Sequence, residues 1–275
     1  MTTIECVPAD KKLQSLELET LKIFHNVCKK HNLKYFLIGG TLIGAVRHGG
    51  FIPWDDDIDV GMPRQDYNIL LKNADKWFPQ KLRLAHWRNT EQYVYNFSKL
   101  ENRNTLLIEK PYQHLTKRKG GVYIDIFPFD GMPSYRITQL TWYCIVRAIN
   151  RLTILMHCNT TLGVAKNYKD LGKACLGKIC QSIFSDKKIH AFYDKLMQKF
   201  SFETSDFVIN HSGMWGIREL FPKNLFGKLK TIDFENHEFY TVSDYDSFLS
   251  LVYGDYMKLP PLEKRVSHHD FYYKT

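Results

Sequence analysis

The chain has 275 residues, 44% of them hydrophobic and 14% aromatic, and a formal net charge of +9. That composition excludes a disordered chain, and the length suffices for one large core or two packed subdomains. The positive excess favours polyanionic partners such as nucleotides, anionic lipids or acidic polymers, without choosing between them.

Residues 10–31 carry Leu13, Leu16, Leu21, Phe24, Val27 and Cys28 near helical spacing among charged residues, which predicts an amphipathic helix. Tyr35–Ile38 reads as a short apolar strand ending at the Gly39-Gly40 turn, and Thr41–Val46 as a helix starting from that turn. A helix that opens on a glycine turn offers backbone N–H groups and a favourable dipole to phosphate. Gly49-Gly50 and Pro53 mark a loop, Asp57–Val60 a strand and Asp66–Trp77 the next helix. Strand character follows at Leu82–Trp87, Tyr93–Leu100 and Thr105–Ile108. In Val122–Phe127 it alternates clearly, with Val122, Ile124 and Ile126 on one face and Tyr123, Asp125 and Phe127 on the other. Beyond Pro133 the period turns helical through Gln139–His157, Gly163–Ile183 and Asp186–Phe200. Short strands are expected at Phe207–Asn210 and Thr231–Val242, the latter turning at Glu235-Asn236, and a last helix ends at Gly254 before an ordered tail. The expected class is α+β, a mixed sheet with flanking helices. Residues 1–135 form the catalytic core, and residues 136–275 a mostly helical subdomain whose C-terminal segment packs on that core.

The cysteines (Cys6, Cys28, Cys144, Cys158, Cys175, Cys180) show no C-x-x-C spacing, which argues against a zinc site or a disulfide framework. The N-terminus lacks a secretory apolar run, and Ile137–Cys158 is interrupted by Arg147, Asn150 and Arg151. A cytoplasmic protein is expected, one that touches the inner face of a membrane through its basic surface.

The chemistry concentrates in FLIGGTLIGAVRHGGFIPWDDDIDVGMPR, residues 36–64. Four aspartates within five positions repel one another unless a cation lies among them. On a strand, Asp57 and Asp59 share a face while Ile58 and Val60 point the other way. Their hard oxygens suit Mg²⁺ or Mn²⁺ better than zinc. Asp125, alone in an apolar strand, reads either as a loop cap or as the third arm of this metal cluster, where it would also accept the proton of an incoming hydroxyl. Gly39 and Gly40 supply backbone donors to phosphates, and Arg47 a fixed positive charge.

Three blocks, Gly39–Tyr67, Gly120–Pro133 and Leu251–His269, resemble the LicD family of phosphotransferases, so the likeness spans nearly the whole chain. The resemblance implies a nucleotidyltransferase-like fold, with Gly39, Gly40 and Thr41 as the phosphate turn, Asp57 and Asp59 as the metal pair and Asp125 as the third carboxylate. It also implies transfer of a phosphorylated alcohol from a CDP-activated donor, CDP-choline or a related CDP-alcohol, to a hydroxyl of a glycan or lipid-linked glycan. Teichoic acid or lipopolysaccharide would be such an acceptor. The competing readings are a nucleotidyltransferase, an Asp-x-Asp glycosyltransferase and a non-catalytic polyanion-binding protein. The aspartates argue against the last, and against nucleic acid as a partner, because they place negative charge where a polyanion needs positive.

The remaining candidates each carry two readings. Arg64 reaches a phosphate or makes a surface salt bridge. His48 donates to phosphate or holds structure, and Lys264 and Arg265 close over the donor phosphates or form a solvated tail. Asp55 and Asp56 shape the loop or adjust the field and are not both ligands, Asp130 caps the loop at Gly131, and His268-His269 lack a third ligand. Lys117-Arg118-Lys119 offers a landing site for an anionic glycan or headgroup, or is a solvated loop. A choline cage would draw on Trp54, Trp87, Tyr93, Tyr95, Phe97, Phe127 or Trp215.

Overall fold

The computed structural model describes residues 10–112, 115, 117–118, 120–157, 168–267 and 271–274. His268, His269, Lys119, Cys6 and Cys158 lie outside them. The elements in chain order begin with α1 (Lys11–Lys30), β1 (Phe36–Leu37), α2 (Gly39–His48), β2 (Asp59–Pro63) and α3 (Arg64–Trp77). They continue with β3 (Leu82–Ala85), β4 (Ser98–Asn102), β5 (Leu106–Glu109) and β6 (Tyr123–Met132), then α4 (Arg136–His157), α5 (Tyr168–Ile183) and α6 (Asp186–Met197). The last part holds β7 (Phe207–Ile209), β8 (Leu220–Pro222), β9 (Lys230–Phe234), β10 (His237–Thr241), α7 (Tyr245–Tyr253) and β11 (Phe271–Lys274).

The α+β class is as expected: a seven-stranded mixed sheet runs β1-β2-β6-β4-β3, with β7 and β8 continuing from β6. β6 is its spine. Residues 125–129 pair in parallel with β2, residues 123–126 antiparallel with β4, and residues 130–132 antiparallel with β7. The expected strand stopped before Pro128, a residue without an N–H. The observed strand runs on, because Pro128 falls between the stretches paired with β4 and with β7 and keeps a neighbour only in β2. All ten residues of β6 are buried.

α1 is capped by the Asp10 carboxylate, which accepts from the Lys12 N–H at 2.8 Å, and it lies across β6 and β4. α2 begins two residues earlier than expected, at the glycines themselves, and ends on Gly49 in the left-handed region. Tyr93–Phe97 is not strand; β4 starts at Ser98, and the aromatic side chains before it pack inward. The hairpin β9–β10 turns at Glu235-Asn236, both at positive φ, as expected.

The second half of the chain shares the sheet and the core of the first. β7 and β8 extend the sheet, and Phe221, Phe226, Phe234 and Phe248 enter the same core as Phe24, Phe36 and Phe129. α4, α5 and α6 form smaller clusters around Val146, Tyr193 and Met197 and around Met156, Cys180 and Ile189. Their outer side leaves Ile137, Ile145, Leu176, Ile179 and Ile183 exposed. Among the described residues, no helix is long and apolar enough to cross a membrane.

Candidate active site

Strand register assembles the centre of the site. Parallel pairing sets Asp59 of β2 opposite Asp125 of β6, and antiparallel pairing sets Lys99 of β4 opposite Asp125 on the other side. Directly opposed residues present their side chains to one face, so Asp59, Asp125 and Lys99 form a row across three strands. The Lys99 ammonium donates to both Asp125 oxygens, at 2.9 and 3.2 Å, and lies 3.6 Å from Glu109. It also lies 3.3 Å from the centre of the Tyr123 ring. Burial alone would raise the Glu109 carboxyl, but Lys99 and Arg118 hold it at about 2. Lys99 was not among the expected site residues. Its signal was a lysine two residues from Phe97 in the strand-like stretch Tyr93–Leu100, but recognising it required the register against β6.

The acidic loop closes on this row from the side of α2. Asp57 lies ahead of β2, not in it. The Asp59 N–H donates to Thr41 Oγ1 at 2.8 Å, so Thr41 fixes the aspartate's backbone. Gly39 has φ of +58°, and a Cβ there would stand 2.8 Å from Asp59 Oδ2; at Gly40 a Cβ would meet Asp55 Oδ2 at 2.2 Å. The bare first turn of α2 therefore lets two carboxylates approach the positive end of the helix dipole. Asp55, Asp56 and Asp57 each bring a carboxylate oxygen to within 4.8 Å of the other two. Burial, with the charges of Asp57, Asp125 and Asp55, pushes the Asp59 carboxyl well above the usual range. Burial likewise raises Asp125, with Lys99 opposing.

Two further segments meet the loop. The Gln14 amide of α1 donates to the Asp55 carbonyl at 2.8 Å, and the Ser267 hydroxyl donates to the Asp56 carboxylate. One turn beyond Gln14, Glu17 is 2% exposed, and its Oε2 has no hydrogen-bond partner among the described residues. Glu17 too was missed. Its signal was a charged residue between Leu13 and Leu21 on the stripe those residues define. This set of hard carboxylate oxygens, one of them buried and unpaired, fits a divalent cation such as Mg²⁺ or Mn²⁺ and does not fit a soft metal.

The structure separates the other expected residues. Arg64 does not reach the surface. It is buried, donates to both Asp130 oxygens at 2.7 and 2.6 Å, and donates to Asp194 of α6 at 3.0 Å. Asp130 is accordingly a buried partner of Arg64 and not a loop cap, because β6 continues past it. Arg47 and His48 stand at the far end of α2, roughly 11 Å along the axis from the glycines by the helical rise. Arg47 donates to the Tyr256 carbonyl at 2.6 Å and to His48 Nε2 at 3.0 Å. Arg265 approaches them, close enough to lower the Arg47 guanidinium's affinity for its proton beyond the effect of burial, and lies over the Trp54 ring at 5.6 Å. Lys264 is exposed on the same segment. Arg118 is not a solvated landing residue but is ion-paired with Glu109 at 2.9 Å, while Lys117 is exposed. Among the aromatic candidates, Tyr95 and Phe97 flank Lys99, Tyr93 flanks Arg118, Trp87 lies beside Arg88 and Trp54 beside Arg265. These rings already face the chain's own cations.

The model of the LicD/FKTN/FKRP nucleotidyltransferase domain matches residues 32–145. The lipopolysaccharide cholinephosphotransferase LicD of Haemophilus influenzae is 30% identical over 94% of this chain and 95% of its own length. The chain belongs to the LicD family. An uncharacterized protein of Rickettsia prowazekii is 48% identical over 46% of the chain and 42% of its own length. Human ribitol 5-phosphate transferase FKRP is 44% identical over 18% of the chain and 10% of its own length.

Proposed function

We propose that this chain transfers a phospho-alcohol from a CDP-activated donor to a hydroxyl of a cell-surface glycan, with Mg²⁺ or Mn²⁺ held by Asp57, Asp59 and Asp125. The observation that carries the reading is the strand register that sets Asp59 beside Asp125 under the bare first turn of α2. Phosphocholine is the favoured group, because the similarity to the cholinephosphotransferase runs the length of the chain while that to the ribitol phosphate enzyme covers 48 residues.

In this reaction the acceptor oxygen bonds to the phosphorus that carries the alcohol, the bond from that phosphorus to the CMP oxygen breaks, and CMP leaves with the electron pair. A bound divalent cation would neutralise phosphate charge as it shifts onto the leaving CMP. Asp125, oriented by two bonds from Lys99, takes the acceptor's proton. The N–H groups of the Gly39–Thr41 turn face the phosphates, and the Arg47–Arg265 pair serves a more distant part of the donor. Purified protein with Mg²⁺ and CDP-choline, CDP-glycerol or CDP-ribitol should release CMP from one donor, given a glycan acceptor. Asp57→Asn and Asp59→Asn should abolish release without unfolding the chain. CMP retained on the acceptor would mean nucleotidyl transfer instead, and full turnover by both variants would overturn the metal reading.

A lipid-linked acceptor also accounts for the outer face of α4 and α5. Among the described residues, the helices that expose Ile137, Ile145, Ile179 and Ile183, with the start of α6, carry Arg136, Arg147, Arg151, Lys178, Lys187 and Lys188 against one acidic residue up to Phe192, Asp186. Apolar side chains rimmed by cations suit an anionic lipid surface, while two copies of this face would repel one another. On this reading the protein works at the cytoplasmic face of a membrane. It should sediment with phosphatidylglycerol vesicles at low salt and not with phosphatidylcholine vesicles. No binding to either, or self-association through this face, would refute the assignment.

A further inference from the structure

We propose that Glu17 of α1 is a further metal-directed carboxylate of the acidic cleft, supplied by an element outside both strands and the loop. The inference rests on the metal reading above and deepens it. Glu17 is 2% exposed, and its Oε2 has no hydrogen-bond partner among the described residues. The charged groups that bear most on it are Asp57, Asp56, Asp55 and Asp125, every one of them acidic. The nearby cation of the cleft, Lys99, is committed to Asp125 and Glu109.

A carboxylate hidden from water among like charges opposes folding unless something recovers its charge. The fold does not turn it away. α1 is fastened to the loop by the Gln14 amide on the Asp55 carbonyl, 2.8 Å long, and Glu17 follows three residues later on the same helical face. An arrangement that builds in an unpaired anion and then fixes its direction is explained by a cation that the anion serves. Glu17 would add an oxygen to those of Asp57, Asp59 and Asp125, either on the ion directly or through a bound water.

A structural glutamate and a metal-directed one differ in the sign of their effects. Replacing Glu17 by its isosteric amide removes a buried carboxyl that opposes folding from the metal-free cleft and one ligand charge from the metal-bound cleft. Full-length wild type, Glu17→Gln and Asp59→Asn are titrated with Mn²⁺ by calorimetry, and each is melted without metal. The expected result is a Glu17→Gln protein that melts no lower than wild type without metal, yet binds Mn²⁺ roughly 10- to 100-fold more weakly. Wild-type Mn²⁺ affinity in Glu17→Gln would overturn the role of Glu17 while leaving the metal site intact. Absence of Mn²⁺ binding in folded wild type would overturn the metal reading itself, and Glu17's role with it. If Glu17→Gln fails to fold, Glu17→Asp keeps the charge and shortens its reach. Weakened Mn²⁺ binding by Glu17→Asp supports the proposal, and unchanged binding overturns it.

Discussion

Replacing Arg64 by methionine separates a structural arginine from a phosphate-binding one. Arg64 carries two bonds to Asp130 and one to Asp194, and both it and Asp130 are buried. Methionine fills similar volume but leaves Asp130 without a countercharge, while Asp194 keeps Arg88 at 2.7 Å. Breaking one partner of a buried ion pair costs about 3–5 kcal/mol. An unfolding entropy of about 2.1 cal/mol/K per residue gives about 0.6 kcal/mol/K for this chain, so the loss lowers Tm by roughly 5–9 °C. The loss also depends on pH. Burial pushes Asp130 up from 3.8 to about 6 even with Arg64 opposing, and removing Arg64 raises it further. A raised folded pKa gives stability that is complete below the unfolded value and is lost as pH rises through the folded one. The gap between variant and wild type should therefore be narrower at pH 5 than at pH 8. Calorimetric melting at both pH values, with CMP-release kinetics on the folded protein, tests this. An unchanged Tm together with a raised KM for the donor would refute the structural reading and return Arg64 to the phosphates.

Gly40→Ala places a methyl where Asp55 Oδ2 now lies, 2.2 Å away, so the carboxylate must swing aside while the helix stays intact. Circular dichroism should be unchanged and Mn²⁺ affinity should fall roughly tenfold or more; equal affinity would mean that Asp55 does not matter to the cation. Burial pushes Glu219 up from 4.5 to about 7 against the bonds it accepts from the Trp215 N–H and the Asn210 amide. Its contribution is present below about pH 4.5 and is lost as pH rises through 7, about 3 kcal/mol in all. Urea midpoints at pH 5 and 8 should accordingly differ less in Glu219→Gln than in wild type, and identical differences would refute it.

What was legible in the sequence is what local pattern encodes. The turn at Glu235-Asn236 needs two residues that tolerate positive φ, and those residues announce it. The glycines before DDDID mark a place where side chains must be absent, and the structure fills that place with the Asp55 and Asp59 carboxylates. Lys99 and Glu17 were not legible because each acquires its meaning from a neighbour far along the chain, Asp125 for the one and the acidic loop for the other. The burial of Arg64's ion pairs was hidden for a related reason. An arginine just after an acidic strand resembles a phosphate ligand, and only the packing of α6 brings Asp194 to it. The aromatic residues of 93–97 looked like strand because aromatics favour sheets, whereas here burial around two cations claims them.

β6 joins these parts under a constraint of count. Asp125 faces the cation cleft and Asp130, five residues on, faces Arg64 and the helices behind the sheet. Five is odd, so the two aspartates emerge on opposite sides of one uninterrupted strand. Inserting or deleting a single residue between them would turn one aspartate to the wrong side, leaving either the cleft without its carboxylate or Arg64 with Asp194 alone. The Ile126–Phe129 segment can therefore vary in its side chains far more readily than in its length.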